Sequence, residues 1–141
     1  MIARQYRLRE DSDVRRTRAR GKSWPNGPVV ARILANSLEP RQNRYTVIAG
    51  KRCGKAVQRN RMKRLLREAL RGYHPLLRPG HDMALVCRGT VADLPSLEAA
   101  QELLLTIFTR SALWKPGVTP PAPGTPITSS WILPSEENPA S

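Results

Sequence analysis

Cysteine is nearly absent from this chain. Cys53 and Cys87 are the only two in 141 residues, which excludes a disulfide-stapled scaffold and fits a reducing cytoplasm. Long apolar runs are also missing. No stretch of about 18 apolar residues occurs, so no membrane span is expected. The start, MIARQYRLRED, lacks the apolar core of a signal peptide. Acidic residues are few: 11 against 24 Lys and Arg, for a formal net charge of +13. No cation follows Lys115, and seven of the 13 prolines lie in 116–141. No internal repeat is visible.

Charge of this size does not define a fold, but it does define partners. Nucleic acid comes first and an anionic surface second. The length suits one domain with a modest core. All 24 cations and nine of the acids fall in 1–115, which reads as a basic nucleic-acid-binding body. The Pro-rich segment 116–141 cannot sustain a helix or a central strand and reads as a disordered tail. Its apolar patch, Trp131, Ile132 and Leu133, has the composition of a docking point.

Within the body, Asp11 or Ser12 is suited to cap a short helix ending before Gly21, with Leu8, Val14 and Ala19 as a thin apolar face. Residues 28–35 and 44–49 alternate as strands. NSLEPRQN between them supplies turn chemistry, so a hairpin is the simplest connection. A second helix is expected from Val57 or Gln58 to Gly72, with Gly72 as its C-terminal cap and Pro75 as its stop. Residues 82–88 form an apolar strand. A third helix begins at a Ser96 cap and buries Leu103, Leu104, Ile107 and Phe108. The pattern is a mixed α/β domain, one small sheet covered by helices.

The informative stretch is GKRCGKAVQRNRMKRLLREALR, from Gly50 to Arg71. Nine of its residues are Lys or Arg, and only Glu68 is acidic. On a helical wheel Met62, Leu65, Leu66, Ala69 and Tyr73 share one face, while Asn60, Arg64, Arg67 and Arg71 lie opposite. Basic helix faces are often merely solvated. Here the cations far outnumber the acids, so intrahelical pairing does not absorb them. Arginine dominates, and its planar fork matches phosphate oxygens. Gly50 and Gly54 would let a backbone carrying Lys51, Arg52 and Lys55 approach a phosphate chain closely.

This stretch resembles the signature of the bacterial ribonuclease P protein subunit. The tripeptide Arg59-Asn60-Arg61 followed by MKRLLRE is the core of that signature. The order of flanking elements agrees over roughly residues 7–115. The resemblance implies an α-β-β-β-α-β-α domain with a four-stranded sheet, like the second domain of ribosomal protein S5. It also implies a left-handed crossover through the basic helix, where general rules favour a right-handed one. It implies a cytoplasmic, monomeric accessory subunit, one per holoenzyme, with no membrane contact. Its partners would be the catalytic RNA and precursor tRNA, whose 5′ leader is removed. The RNA would hold the chemistry, with magnesium bound by the holoenzyme and no cofactor on the protein alone.

By the same resemblance, Lys51, Arg52, Lys55, Arg59, Asn60, Arg61, Lys63, Arg64 and Arg67 would face the catalytic RNA. A cleft for the leader would involve Val14, Arg18, Val29 and Arg32. Related proteins commonly carry aromatics there. These residues would grip through charge and be less selective for base identity.

No catalytic constellation is visible. His74 and His81 read as turn and loop residues. Cys87 reads as a small strand residue, and the Cys and His spacing fits no usual zinc pattern. Two other classes compete. One is a ribosomal or other structural RNA-binding protein. The other is a DNA-binding regulator, against which stands the lack of a helix-turn-helix pair around residues 57–72.

Overall fold

Residues Asp11–Arg20 form the first helix, α1. Glu10, not Asp11 or Ser12, stands at its N-cap, and Asp11 and Asp13 occupy its first turn, where negative charge favours the helix dipole. The chain continues through β1 (Lys22–Asn26), β2 (Val29–Ala35), β3 (Arg44–Ala49), α2 (Ala56–Tyr73), β4 (His81–Cys87) and α3 (Leu97–Arg110). The computed structural model describes residues 4–120 and 122. Val118 still packs against the core, three residues past the boundary expected at Lys115. The expectation for 123–141, with Trp131, Ile132 and Leu133, lies outside the described residues.

The four strands lie in the order β1-β2-β4-β3. The hairpin expected between β2 and β3 does not form, because β4 lies between them. It runs antiparallel to β2 and parallel to β3, and α2 is the connection between the two parallel strands. The tight hairpin instead joins β1 to β2 across Gly27, at φ +56, and Pro28. β1 is KSWPN, an edge strand with Pro25 in it. Proline there blunts an open edge, and it also hides the strand from pattern reading.

Strand alternation divides the sheet into two faces. On the inner face Val29, Ala31 and Ile33 of β2 meet Tyr45, Val47 and Ala49 of β3 and Met83, Leu85 and Cys87 of β4. The helices α2 and α3 cover this face with Met62, Leu66, Ala69, Leu70 and Tyr73 and with Leu103, Leu104, Ile107 and Phe108. On the outer face α1 crosses β2 and β4. It comes close at Gly21, where a Cβ would lie 2.4 Å from the Thr17 carbonyl oxygen and 3.0 Å from the Ile33 nitrogen. No side chain fits there.

Helix α2 runs through Gly72, which is buried within it, so Gly72 is not the cap. The helix passes into a 3-10 turn, His74–Leu76, that holds Pro75. His74 lies in this turn, as its reading as a turn residue has it, and is buried. Its Nδ1 lies 2.7 Å from the Tyr45 hydroxyl, and the Tyr6 ring packs 4.2 Å away, centre to centre. Burial, with the Lys115 charge second, lowers its pKa from 6.5 to about 4. The folded state therefore binds fewer protons than the unfolded chain between these values. Its stability is fully present above pH 6.5 and is lost as pH falls toward 4. The expected loss is roughly 3 kcal/mol across that window. His81 is also held below its ordinary value by burial and acts in the same direction. Urea unfolding at several pH values isolates His74 by comparison with His74→Gln, whose pH profile should be flatter.

Candidate RNA-binding surfaces

The first surface is the solvent side of α2 and the loop before it. Lys51 and Arg52 lie on a 3-10 turn, Lys51–Cys53, and both are exposed, as is Lys55. Gly54 turns the chain into the helix at φ +122, and a Cβ there would lie 2.3 Å from Gln58 Oε1. That oxygen accepts the Lys55 backbone N–H at 2.8 Å, satisfying an amide at the helix entrance. Asn60, Arg61, Arg64 and Arg67 are exposed, while Arg59 and Lys63 are half-buried. Arg61 has an internal partner: its Nη2 donates to the Pro95 carbonyl at 3.0 Å. Arg59 Nε is buried without a hydrogen-bond partner.

No acidic residue lies in the first turn of α2. Lys51, Arg52, Lys55, Arg59 and Arg61 thus crowd the positive end of the helix dipole. This arrangement opposes the dipole and destabilises the free protein. A polyanion reverses the sign, since phosphates are favoured both by the cations and by the helix N-terminus. Local rules broken in this concerted way point to a binding surface.

The second surface is a groove of about 560 Å³ on the outer face, beside α1. Arg15, Arg18 and Ala19 line it from the helix, and Ser23, Val30, Arg32 and Val86 from the sheet. Arg18 and Arg32 therefore line the same groove. Val29 does not join them. It is fully buried on the inner face, and it cannot share a face with Arg32, three residues away, in a strand of period two. Its neighbour Val30 takes the groove position, paired with Val86 across the strands. Val14 is half-buried on α1 and is not part of this lining. Arg15, Ala19, Ser23, Val30 and Val86 are the groove residues the sequence reading missed. Strand parity counted from Arg32 points to Val30, and helical spacing from Arg18 points to Arg15; nothing local marks the others. The groove contains no aromatic side chain.

A buried contact links the loop before α2 to β4, the strand that carries Val86. The Cys53 thiol donates to the Cys87 carbonyl at 3.3 Å, tying the Lys51–Cys53 turn to the end of β4. Val86, one residue away, lines the groove. Both cysteines are free and buried, and burial pushes the Cys87 thiol up to about 12, so it is an inert packing residue. Among the described residues no group of three or more His, Cys, Asp or Glu side chains is placed to hold a metal. None of their helices is long and apolar enough to cross a membrane.

The ribonuclease P family profile matches residues 2–110. The chain belongs to the ribonuclease P protein family. The ribonuclease P protein component of Roseiflexus castenholzii is 37% identical over 107 residues, covering 74% of this chain and 86% of that protein. That of Exiguobacterium sibiricum is 30% identical over 114 residues, covering 81% and 97%. The ribonuclease P protein structure from Thermotoga maritima aligns with a TM-score of 0.65 at 26% identity, over 74% of this chain and 96% of that one. The Staphylococcus aureus ribonuclease P protein aligns with a TM-score of 0.67 at 24% identity, over 78% and 98%. A ribonuclease P protein component is the accessory subunit of a tRNA 5′-processing endoribonuclease, a ribonucleoprotein whose RNA subunit is its partner.

Proposed function

We propose that this chain joins two polyanions within ribonuclease P. The face of α2 with the Lys51–Lys55 loop holds the catalytic RNA, and the groove beside α1 holds the 5′ leader of precursor tRNA. The observation that carries this reading is that one small sheet bears two separate basic surfaces, the exposed cations of α2 with its preceding loop and the groove lined by Arg15, Arg18 and Arg32. A protein that bears both lowers the electrostatic work of bringing leader and catalytic RNA together. The RNA, with magnesium bound to the holoenzyme, performs the hydrolysis. The protein acts as one monomer per holoenzyme, in the cytoplasm. Reconstitution with the catalytic RNA from the same source tests this. The protein should support cleavage of precursor tRNA at low magnesium, and the RNA alone should be slower there.

The groove has its own test. Guanidinium groups with an aliphatic floor favour leader phosphates over base identity. Changing Arg18 and Arg32 together to Ala should weaken precursor tRNA binding roughly 10-fold, with mature tRNA binding nearly unchanged. Leader base changes should matter little in the unaltered protein. Equal weakening of precursor and mature tRNA would remove the leader from this groove.

A further inference from the structure

Two large apolar side chains stand in solvent among the described residues: Val57, 80% exposed, and Leu97, 40% exposed. Isolated exposed apolar residues are ordinary. These two stand at helix starts that a hydrogen bond links. Val57 lies in the first turn of α2 and heads the stripe on which Asn60, Arg61 and Arg64 follow at helical spacing. Leu97 is the first residue of α3. Between them Arg61, one turn after Val57, donates to the carbonyl of Pro95, two residues before Leu97. The hydrogen bond ties the beginning of α2 to the segment that enters α3, and each helix start carries one of the two exposed apolar side chains.

The fold does not require Val57. It belongs to no core cluster, and a β-branched residue is a poorer helix former than alanine. Its surroundings select the partner. Lys55, Arg61 and Arg64 are exposed around it, so a second copy of so basic a chain would be repelled and a polyanion attracted. An RNA offers an apolar surface where a base is unstacked, as in single-stranded junctions and bulges. We propose that Val57, with Leu97 at the linked start of α3, forms an apolar step on which an unstacked base of the catalytic RNA rests. The stripe then reads shape as well as charge. This rests on the assignment of the α2 face to that RNA.

The test is equilibrium binding of the full chain to the catalytic RNA between about 50 and 300 mM salt. Val57→Ala should weaken binding roughly 3–10-fold. The shift should be parallel at all salt concentrations, because no counterion-releasing contact is lost. Leu97→Ala should do the same to a smaller extent. Val57→Lys should also weaken binding, although it adds a cation. In contrast, Arg64→Ala should flatten the salt slope by about 0.7–0.9. Unchanged binding by Val57→Ala would overturn the proposal, as would tighter binding with a steeper slope by Val57→Lys. If Arg64→Ala left affinity and slope both untouched, the RNA assignment of the whole face would fall, and this proposal with it.

Discussion

Asp82→Ala should lower the stability of the domain by about 3–5 kcal/mol. Asp82 is only 1% exposed, yet it lies on the outer face of the sheet. It accepts from Arg44 Nε at 2.8 Å and from Nη2 at 2.7 Å, a bidentate pair between neighbouring strands. Asn36 Nδ2 adds a third hydrogen bond at 2.9 Å. Arg44 also reaches Asp13 of α1 at 3.4 Å. The hydrogen bonds to Asp82 are the main reason the Arg44 pKa is raised further. Removing the carboxylate strips a largely buried guanidinium of its two short hydrogen bonds and leaves it only the longer contact with Asp13, while Asn36 Nδ2 keeps only the Gln42 carbonyl at 3.1 Å; taking one partner out of such a pair is the expensive way to break it. The urea midpoint should fall with little change in slope. Precursor tRNA should also lose some of its advantage over mature tRNA, because Asp13 no longer has a fixed anchor and α1 forms one wall of the groove. Arg16→Ala breaks only an exposed pair with Asp13 and should change stability by no more than about 1 kcal/mol. A stable Asp82→Ala protein would show that α1 is held by its other contacts alone.

How far the sequence revealed this arrangement depended on whether the deciding force was local. The basic helix was legible because its period of 3.6 and its cations lie in one continuous stretch. Its apolar stripe was right except in depth. Met62, Leu66, Ala69 and Tyr73 are buried, but Leu65 is only half-buried and Leu70 is fully buried. The side on which α3 packs decides between them, and a wheel does not contain that. The β2–β3 hairpin failed for a similar reason. Turn residues between two strands say that the chain turns, not that a strand some 30 residues later will enter between them. Val29 was misplaced by a single residue, which in a strand exchanges core for groove. Arg61 reads as a free cation in sequence, and only the fold supplies the Pro95 carbonyl.

Changing both Arg64 and Arg67 to Ala should weaken assembly with the catalytic RNA without unfolding the protein. Both side chains are exposed, Arg67 where α2 borders β3 and the segment Arg7–Arg9. They test the face more cleanly than Arg61, whose removal also breaks the hydrogen bond to Pro95. If each guanidinium contacts a phosphate, each loss should flatten the salt slope by about 0.7–0.9, and the defect should be largest at low salt. Cleavage should recover substantially at raised magnesium, because the RNA holds the chemistry and the metal can replace lost screening. Leu66→Ala should give the opposite signature. Leu66 is fully buried between the sheet and α2. Its truncation should cost about 2–5 kcal/mol of stability, while the salt slope of the protein that remains folded is preserved. Loss of cleavage by the double arginine variant at every magnesium concentration, with normal RNA binding, would place these arginines in the chemical step. The division of labour between protein and RNA would then be wrong.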